Sequence, residues 1–266
     1  TVTRVVEHAD HCTVALEHGP VLRAGHVVIA TQGPITDPAF LANRCSPMQS
    51  YCLAARAERD LPAGMYLSCD RSTRSLRPAT LDGDPVLVIG GAGHRMGDAA
   101  ATPERWDELA SWGRQHFGPL EVTHRWATHD LAPTDHVPFV GRLSPSANRR
   151  WVATGFGKWG MTNGYVAAHL LTAAITGTAV DWAPAFDSTR IRASLTPDLL
   201  GAGAAAARHL VVDRLTAHRE PRCSHQGCVM RQDRALGTWD CPCHGSRFDA
   251  DGSVIQGPAS TAVDVG

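Results

Sequence analysis

The sequence has no apolar run that approaches about 18 residues, the length at which an apolar stretch becomes a candidate membrane helix. It also has no excess of either charge, because 25 basic and 26 acidic residues leave a formal net charge of −1. We therefore expect no transmembrane helix, no nucleic-acid partner and no attachment to a membrane surface. Hydrophobic residues make up 43% of the 266 residues, which is enough for one or two folded domains.

A secretory leader is also missing, since Thr1 opens on a strand-like pattern instead of a basic segment followed by an apolar one. This pattern predicts a cytoplasmic protein. Because the sequence does not begin with Met, we expect that the natural protein has residues before Thr1. Half of the 8 cysteines are scattered and are expected to be buried thiols. They are Cys12, Cys45, Cys52 and Cys69.

The other cysteines lie in one stretch, residues 223–258, together with two histidines. One residue separates Cys223 from His225, and two residues separate Cys241 from His244. Two thiolates and two imidazoles form a metal-ligand set that favours zinc or an iron–sulfur centre over ions that prefer oxygen. A structural zinc site is the simpler alternative, because Cys and His in pairs at short spacing are its usual signature.

The two loops of this stretch resemble those of the Rieske [2Fe–2S] family, in which two cysteines hold one iron and two histidines hold the other. The chain has CSHQGC at 223–228, CPCHGS at 241–246 and GSVIQGP at 252–258. The resemblance implies a [2Fe–2S] cluster with four ligands, a disulfide between two further cysteines and a hydroxyl that donates to a cluster sulfur. In that order, the residues are Cys223, His225, Cys241 and His244; Cys228 and Cys243; and Ser246.

Two features depart from that family. Phe248 stands where its high-potential members have tyrosine, so one hydrogen bond to the sulfur shell of the cluster is lost. We therefore expect a lower reduction potential than those members have. In addition, residues 191–222 leave room for few strands before the first cysteine loop, so the Rieske domain is expected to be truncated.

A glycine-rich turn, GFGKWGMTNG at 155–164, follows a strand-like segment and precedes a helix of small and apolar residues. A turn that leaves a strand and enters a helix directs free backbone N–H groups and the positive end of the helix at one point. A flavin needs such a partner near N1 and O2, where negative charge gathers on reduction. The alternative, which the sequence leaves open, is that small residues here only allow close helix packing.

A second glycine-rich stretch, VIGGAGHRMG at 88–97, imitates a dinucleotide-binding loop because it follows a strand. The next helix begins only at Thr102-Pro103-Glu104, however, where an N-cap residue precedes Pro and an acid, and it is predicted to run from Pro103 to Phe117. We therefore interpret 88–97 as a plain strand-to-helix connection. Residues 48–91 are predicted to form a sheet of strands separated by Pro, Gly and Asp turns.

Several segments, in chain order, look like the C-terminal half of FAD-dependent oxidoreductases of the D-amino-acid-oxidase superfamily, a bacterial branch of which carries a C-terminal Rieske domain. They are VVIATQGPI, TRSLRP, VIGGAGHRMG, HRWATHDLAPTDHVPFVG, VATGFGKWGMTNG and WAPAFDSTR. The resemblance implies FAD as a second cofactor, with the substrate between the flavin ring and the sheet of residues 48–91. The residues that would border the ring are Gly155, Lys158, Trp159, Gly160 and Met161. The G-x-G-x-x-G fingerprint of that fold is absent, so the chain as given is expected to hold FAD poorly.

The expected fold class is α+β. A partial flavoprotein domain, with a mixed or antiparallel sheet and helices, is predicted at 1–195. A linker is predicted at 196–218, and a small all-β Rieske domain, apparently truncated, at 219–266.

Catalytic residues are harder to predict than cofactors. Oxidation of an amine by a flavin needs a neutral substrate amine, and an arginine fork usually anchors a substrate carboxylate. Arg74 and Arg77 are candidates for this anchor, although side chains three residues apart in a strand point to opposite faces. Asp135 is expected to tie its own turn through its carboxylate. The histidines that could act as bases are His94, first of all, and His124, His129 and His136.

These cofactors predict an oxidoreductase that couples FAD-dependent oxidation of a small organic substrate, an amine or amino acid, to one-electron transfer through the cluster. Its partners would be that small-molecule substrate and a one-electron donor or acceptor. The alternative is a non-catalytic electron-transfer or redox-sensing module on a degenerate flavoprotein scaffold. The flavin content of the protein separates the two hypotheses.

Overall fold

The computed structural model describes residues 1–39, 41–58, 61–70, 72–97, 102–190 and 220–265, so the predicted linker at 196–218 lies outside the described residues. The architecture is α+β, as predicted. The strands are β1 Val2–Glu7, β2 Cys12–Leu16, β3 Leu22–Ala24, β4 Val27–Ile29, β5 Cys45–Ala57, β6 Tyr66–Leu67, β7 Ser75–Leu81, β8 Asp84–Arg95, β9 Leu120–Pro133, β10 Phe139–Arg142, β11 Arg150–Thr154, β12 Arg231–Asp233, β13 Thr238–Asp240, β14 Arg247–Phe248 and β15 Val254–Gln256. The helices are α1 Glu104–Phe117, α2 Gly160–Thr176 and two 3-10 helices, Ala42–Arg44 and Ala183–Ala185.

Two compact units divide the chain. The first consists of Thr1–Pro47, Asp130–Arg231 and Thr238–Gly266, and the second of Met48–His129 with Gln232–Gly237. Neither α-helix in the described part of the chain is both long and apolar enough to cross a membrane.

The second unit is built on a five-stranded sheet in the order β6-β7-β8-β5-β9. Every second residue of β5 points into the core, so that Tyr51, Leu53 and Ala55 are fully buried. Leu87 and Ile89 of β8 join them. The predicted sheet at 48–91 is therefore confirmed, and its apolar face explains why these residues form strands.

Helix α1 packs on this core through residues at helical spacing. Its buried residues are Trp106, Leu109, Ala110 and Gly113. A Cβ atom at Gly113 would lie 2.6 Å from side-chain atoms of Ile89 and Leu120, so glycine lets the helix approach the sheet. The predicted helix is confirmed, with Glu104 as its first residue.

The glycine-rich stretch at 88–97 is mostly strand, because β8 continues to Arg95, which pairs with Met48 of β5. A Cβ atom at Gly90 would lie 2.5 Å from Ser75 Oγ, so glycine makes room here for the neighbouring strand. The prediction of a plain connection at 88–97 is wrong for most of that stretch. Since these residues pair within the sheet, they do not form the dinucleotide loop that they imitate either.

The first unit contains an antiparallel meander, β1-β2-β3, and a three-stranded sheet in the order β10-β11-β4. Strand β4 is the last strand of that sheet and pairs in parallel with β11. Val28 in β4 is 42% exposed, whereas Ile29 is buried. The continuous apolar run at 27–31 predicts a strand buried on both faces, but this prediction is wrong because only one face of β4 is covered.

Helix α2 packs its buried residues on β10 and β11, and the glycine-rich turn at 155–159 connects β11 to α2. At the C-terminal end, β12, β13, β14 and β15 form a four-stranded sheet in chain order. Its core residues include Cys223, Cys228, Met230, Cys241, Phe248 and Ala259.

Candidate functional site

Two loops of the same design carry the predicted metal ligands. In the first, the Cys223 N–H donates to the Cys228 carbonyl and the Gly227 N–H donates back to the Cys223 carbonyl, each at 2.9 Å. In the second, the corresponding bonds join Cys241 with Ser246 at 2.8 Å and Gly245 with Cys241 at 3.0 Å. Both glycines have left-handed backbone conformations, with φ of 71° and 81°. The glycine in CSHQGC and in CPCHGS is therefore required by the turn that closes each loop.

The two histidines of these loops lie side by side, with their ring centroids 5.0 Å apart. The Nδ1 atoms of His225 and His244 are both buried and have no hydrogen-bond partner in the described structure. Buried polar atoms are nearly always paired, and leaving one unpaired costs roughly 1–3 kcal/mol. Two adjacent, unpaired nitrogen atoms are therefore what a metal centre with two histidine ligands requires.

The imidazoles are neutral in this environment. Burial lowers the pKa of His244 to about 4, and the neighbouring His225 lowers it further. Burial also lowers the pKa of His225. Since metal ligands must be deprotonated, both rings have the protonation state that binding needs.

The two predicted cysteine ligands contact each other. The Cys241 thiol donates to the Cys223 sulfur and lowers the pKa of Cys223 to about 7, while the same contact and burial raise the pKa of Cys241. The backbone N–H groups of His225 and Gln226 and the Ser246 hydroxyl also favour the Cys223 thiolate. Cys223 is 2% exposed and Cys241 is 1% exposed, so this sulfur pair is buried.

A second sulfur pair lies close by. The sulfur atoms of Cys228 and Cys243 lie within disulfide-bonding distance, and this is the pairing that the Rieske resemblance implies. Cys228, Cys241 and Cys243 bring their sulfur atoms within 4.8 Å of one another. Because two of these three are joined to each other, the group does not offer three thiolates to a metal. The available donors are thus the Cys223 and Cys241 sulfurs with the two Nδ1 atoms.

The spacing of these donors is relevant to the zinc alternative. The four ligands of one tetrahedral zinc ion lie within about 4 Å of each other, given bonds of about 2.0–2.3 Å. Among the described residues, no three of the four predicted donors lie mutually within 4.8 Å. A centre with two irons, with sulfur ligands on one and nitrogen ligands on the other, fits this wider arrangement better.

Ser246 contacts the sulfur of Cys223. It is fully buried, its hydroxyl interacts with Cys223, and its oxygen accepts the N–H of Ala259 at 3.0 Å. This second bond holds the hydroxyl in one orientation, so that its proton can point at the sulfur.

Replacing Phe248 by Tyr is expected to raise the reduction potential of the cluster. Phe248 is fully buried in the core beneath the two loops, where a hydroxyl can donate to the sulfur shell and stabilise the reduced state. A tenfold change in the redox equilibrium, about 59 mV for one electron, is the expected scale. Redox titration measures it, with Phe117→Tyr in α1 as the control. An unchanged potential in Phe248→Tyr would contradict this prediction.

A buried ion pair stabilises the strands below the second loop. Arg247 donates to both carboxylate oxygens of Asp240, at 2.8 and 2.7 Å. Replacing Arg247 by Met should cost about 3–5 kcal/mol of the free energy of unfolding, because the buried Asp240 carboxylate loses the positive charge that compensates its own. Urea unfolding measures this loss. The control is Arg23→Met, which breaks an exposed Arg–Asp pair at 2.8 Å and should change little. Equal effects of the two substitutions would contradict the prediction.

The surroundings of the glycines at 155–164 distinguish the two interpretations of this stretch. A Cβ atom at Gly155 would lie 2.7 Å from Pro133 Cγ, so Gly155 is required for close packing. By contrast, Cβ atoms at Gly157, Gly160 and Gly164 would meet nothing within 4 Å in the described structure. Packing therefore explains the first glycine, and open space in front of the other three permits the close approach of a ligand.

The residues predicted to border a flavin ring differ in their surroundings. The Lys158 N–H donates to the Asp130 carboxylate at 2.6 Å, and Lys158 has a left-handed φ of 72°. Its amide is therefore used within the fold. Trp159 is 59% exposed and Met161 is 93% exposed at the start of α2. Large apolar side chains with this exposure are typical of a surface that a ligand or another segment covers.

Two of the candidate catalytic residues, Arg74 and His94, are bonded to other groups of the second unit. The buried Arg74 forms an ion pair with the exposed Glu108 and donates to the carbonyls of Ser72 and Thr73. Arg77 is exposed on β7. His94 is bonded through both ring nitrogens, to the Tyr51 hydroxyl at 3.0 Å and the Arg95 carbonyl at 2.8 Å. The further candidates His124 and His136 are exposed, and His129 is buried.

Asp135 ties its turn as expected, since it accepts the Val137 N–H at 3.2 Å and a bidentate pair from Arg190.

Other polar contacts carry no local sequence signal. Gln49 is almost fully buried and donates to Asp233 at 2.7 Å, across 184 residues of sequence. The His244 Nε2 atom lies 2.8 Å from Asn43 Oδ1. Nothing in the pattern around Gln49 or Asn43 indicated these contacts.

Comparison with known families matches two parts of the chain. Residues 1–174 match the family of FAD dependent oxidoreductases (DAO), and residues 210–265 match the Rieske [2Fe-2S] domain. YhfW of Bacillus subtilis, which carries the name of a Rieske 2Fe-2S iron-sulfur protein, is 28% identical over 97% of this chain and 58% of its own length. Cytochrome b6-f complex iron-sulfur subunit 1 of Nostoc is 51% identical over 37 residues, which are 14% of this chain and 21% of the subunit. The chain thus spans less than two thirds of these relatives.

Solved structures share the fold. Glycine oxidase from Geobacillus kaustophilus superimposes with a TM-score of 0.58 at 19% identity, over 72% of this chain and 52% of the oxidase. Iminodiacetate oxidase from Chelativorans gives a TM-score of 0.52 at 16% identity, over 68% of this chain and 50% of that enzyme. The predicted α+β class is therefore confirmed, while the predicted domain boundaries stay a prediction.

Proposed function

Because the chain belongs to the FAD-dependent oxidoreductase family and ends in a Rieske [2Fe–2S] domain, we propose that the protein couples FAD-dependent oxidation of an amine or amino acid to one-electron transfer through the cluster. The cofactors of this architecture are FAD and a [2Fe–2S] cluster. When bound, FAD supplies a two-electron acceptor and the cluster a one-electron centre.

One observation carries the cluster assignment: the buried Nδ1 atoms of His225 and His244 have no partner among the described residues and lie in loops beside a buried sulfur pair. Cys223 and Cys241 would hold one iron and the two histidines the other. Ser246 would donate to the sulfur shell. The Cys228–Cys243 disulfide would tie the two loops together, because it joins one residue of each.

The flavin would lie against the turn that enters α2. Gly160 and Gly164 leave open space, and Trp159 and Met161 present exposed apolar surface next to them. The fixed backbone around Lys158, held by Asp130, keeps the first turn of α2 in place. The positive end of that helix would favour the negative charge of a reduced flavin.

The choice of an amine or amino acid rests on analogy of fold. Glycine oxidase and iminodiacetate oxidase, which share the fold, are named after substrates of this class. Arg74 gives little support as a carboxylate anchor, because Glu108 and two carbonyls already engage its guanidinium. His94 gives little support as a base, since both of its ring nitrogens are bonded. These two engaged side chains favour the second candidate, a redox module without substrate oxidation.

Anaerobic purification of the full-length protein, followed by flavin absorbance, metal analysis and EPR after dithionite reduction, tests the cofactors first. The proposal expects FAD, about two irons per chain and a Rieske-type signal with low average g. A panel of amines and amino acids is then added anaerobically, and bleaching of the flavin band is followed together with the EPR signal. Both should change with the same substrate.

The other outcomes separate the alternatives. A cluster without flavin, or a flavin that no amine reduces, would favour the electron-transfer or sensing module. Zinc without the EPR signal would overturn the cluster assignment, and the coupling of the two centres would fall with it.

A further inference from the structure

We propose that Asn43 is a positioning residue for the cluster, because its amide oxygen accepts the Nε2 proton of His244 and so directs Nδ1 of that ring to iron. The proposal rests on the ligand set of the proposed function. It goes further, because a residue 201 positions away in the sequence would set the tautomer of one ligand and tune the reduction potential of the cluster.

The contact itself is short and well placed. Asn43 lies in the 3-10 helix Ala42–Arg44, and its Oδ1 atom is 2.8 Å from Nε2 of His244. The His244 ring is 2% exposed, so water does not compete freely for this bond. An amide oxygen only accepts, so the Nε2 atom facing it must carry the proton. The Nδ1 atom is then the one with the free lone pair.

The reverse orientation of the amide is disfavoured by the surroundings of the ring. If the Asn43 NH2 group donated to Nε2, the imidazole proton would lie on Nδ1. That atom is buried and has no acceptor in the described structure, so its N–H would be unsatisfied at a cost of roughly 1–3 kcal/mol. The acceptor orientation of Asn43 avoids this cost and leaves Nδ1 ready for a metal.

The segment that carries Asn43 also touches the loop after the second ligand pair. The Gln256 side-chain amide donates to Gln32, and a Cβ atom at Gly33 would lie 3.0 Å from Pro258 Cδ. Gln32 and Gly33 therefore contact the GSVIQGP stretch, and Asn43 contacts the histidine of the second loop.

The same segment reaches the turn proposed to face the flavin. Thr154, the last residue of β11, donates to the Gln32 carbonyl. Cys45 lies two residues after Asn43, and its Sγ atom is 3.4 Å from the Cβ position of Gly155. Asn43 contacts the histidine while its neighbour Cys45 contacts the turn proposed to border the flavin, and this proximity would favour electron transfer within one molecule.

An acceptor on a histidine ligand makes the ring a stronger electron donor to its metal, which favours the oxidised cluster. Replacing Asn43 by Asp provides a charged acceptor of the same size and should lower the potential. Replacing Asn43 by Leu removes the acceptor and should raise it. We expect shifts of about tenfold in the redox equilibrium, about 59 mV for one electron, with the order Asp below Asn below Leu.

Asn148 offers a matched control, because it follows Ala and precedes Arg as Asn43 does, but it is exposed. The four variants Asn43→Asp, Asn43→Leu, Asn148→Asp and Asn148→Leu are made in the whole chain with its cluster. Equilibrium redox titration followed by EPR gives the potentials, and pulsed EPR gives the couplings of the two histidine nitrogens. Only the Asn43 variants should change the potential and one of the two couplings.

Several outcomes would overturn the inference. They are unchanged potentials in both Asn43 variants, shifts of the same sign in both, or equal shifts at Asn148. If Asn43→Leu loses its cluster, Asn43→Asp decides alone, since a raised or unchanged potential there contradicts the role. None of these readouts needs flavin or substrate, so failure of amine oxidation leaves the inference standing. Zinc in place of iron in the unchanged protein would overturn both proposals.

Discussion

Replacing Cys241 by Ser should abolish the cluster, with iron content near zero per chain and no Rieske-type EPR signal. Cys241 is 1% exposed, and its thiol donates to Cys223, so the two sulfurs lie close enough to hold the same iron. Serine keeps the size of the side chain but offers no soft thiolate, which the iron–sulfur centre requires. Metal analysis and EPR of anaerobically purified protein measure the effect.

A buried cysteine outside the site provides the control. Cys12 is fully buried, and its thiol donates to the Arg149 carbonyl at 3.8 Å. Cys12→Ser should therefore keep about two irons per chain, as expected for the unchanged protein. Retention of a Rieske signal in Cys241→Ser would contradict the assigned ligand set. Equal loss in both variants would show that general damage to folding, not ligation, removes the iron.

The cluster loops could be predicted from sequence because their geometry is local. Each loop is closed by backbone hydrogen bonds over five residues, and a glycine with positive φ stands at the same place in both. Six consecutive residues therefore hold most of the information that positions a Cys and a His together. Helix α1 was predictable for a similar reason, since Trp106, Leu109, Ala110 and Gly113 repeat at helical spacing.

Contacts between distant parts of the chain were not predictable in this way. Asn43 and His244 are 201 residues apart, and Gln49 and Asp233 are 184 apart. No local pattern states which distant side chain will meet a given amide. The exposure of Val28 was not predictable either, because an apolar run alone does not say whether both faces of a strand will be covered.

The glycine-rich turn shows where the sequence left two readings and the structure separates them. Glycine is needed for close packing when a Cβ atom would overlap a neighbour, as at Gly155 with Pro133. It is not needed for packing where the Cβ position is open, as at Gly160 and Gly164. The sequence alone cannot distinguish these cases, since the neighbour of Gly155 comes from a different strand.

Replacing Gly160 by Leu should lower the affinity for FAD at least tenfold while leaving the fold intact. Apart from its chain neighbours and its own helix backbone, a Cβ atom at this position would meet no described atom within 4 Å, so the protein without flavin should lose little stability. Its φ is not in the left-handed region, so the backbone also tolerates the change. A leucine would, however, fill the space through which the proposed flavin approaches the start of α2. Flavin retention and thermal unfolding of the flavin-free protein measure the two effects separately.

Gly25→Leu is the matched control, because a Cβ atom at Gly25 also meets nothing within 4 Å and Gly25 lies between β3 and β4. It should change neither flavin retention nor thermal unfolding. If Gly160→Leu binds FAD as well as the control does, the flavin does not lie against the start of α2. If it instead unfolds at a clearly lower temperature without flavin, the glycine serves the fold, and the open space in front of it has a different occupant in the folded protein.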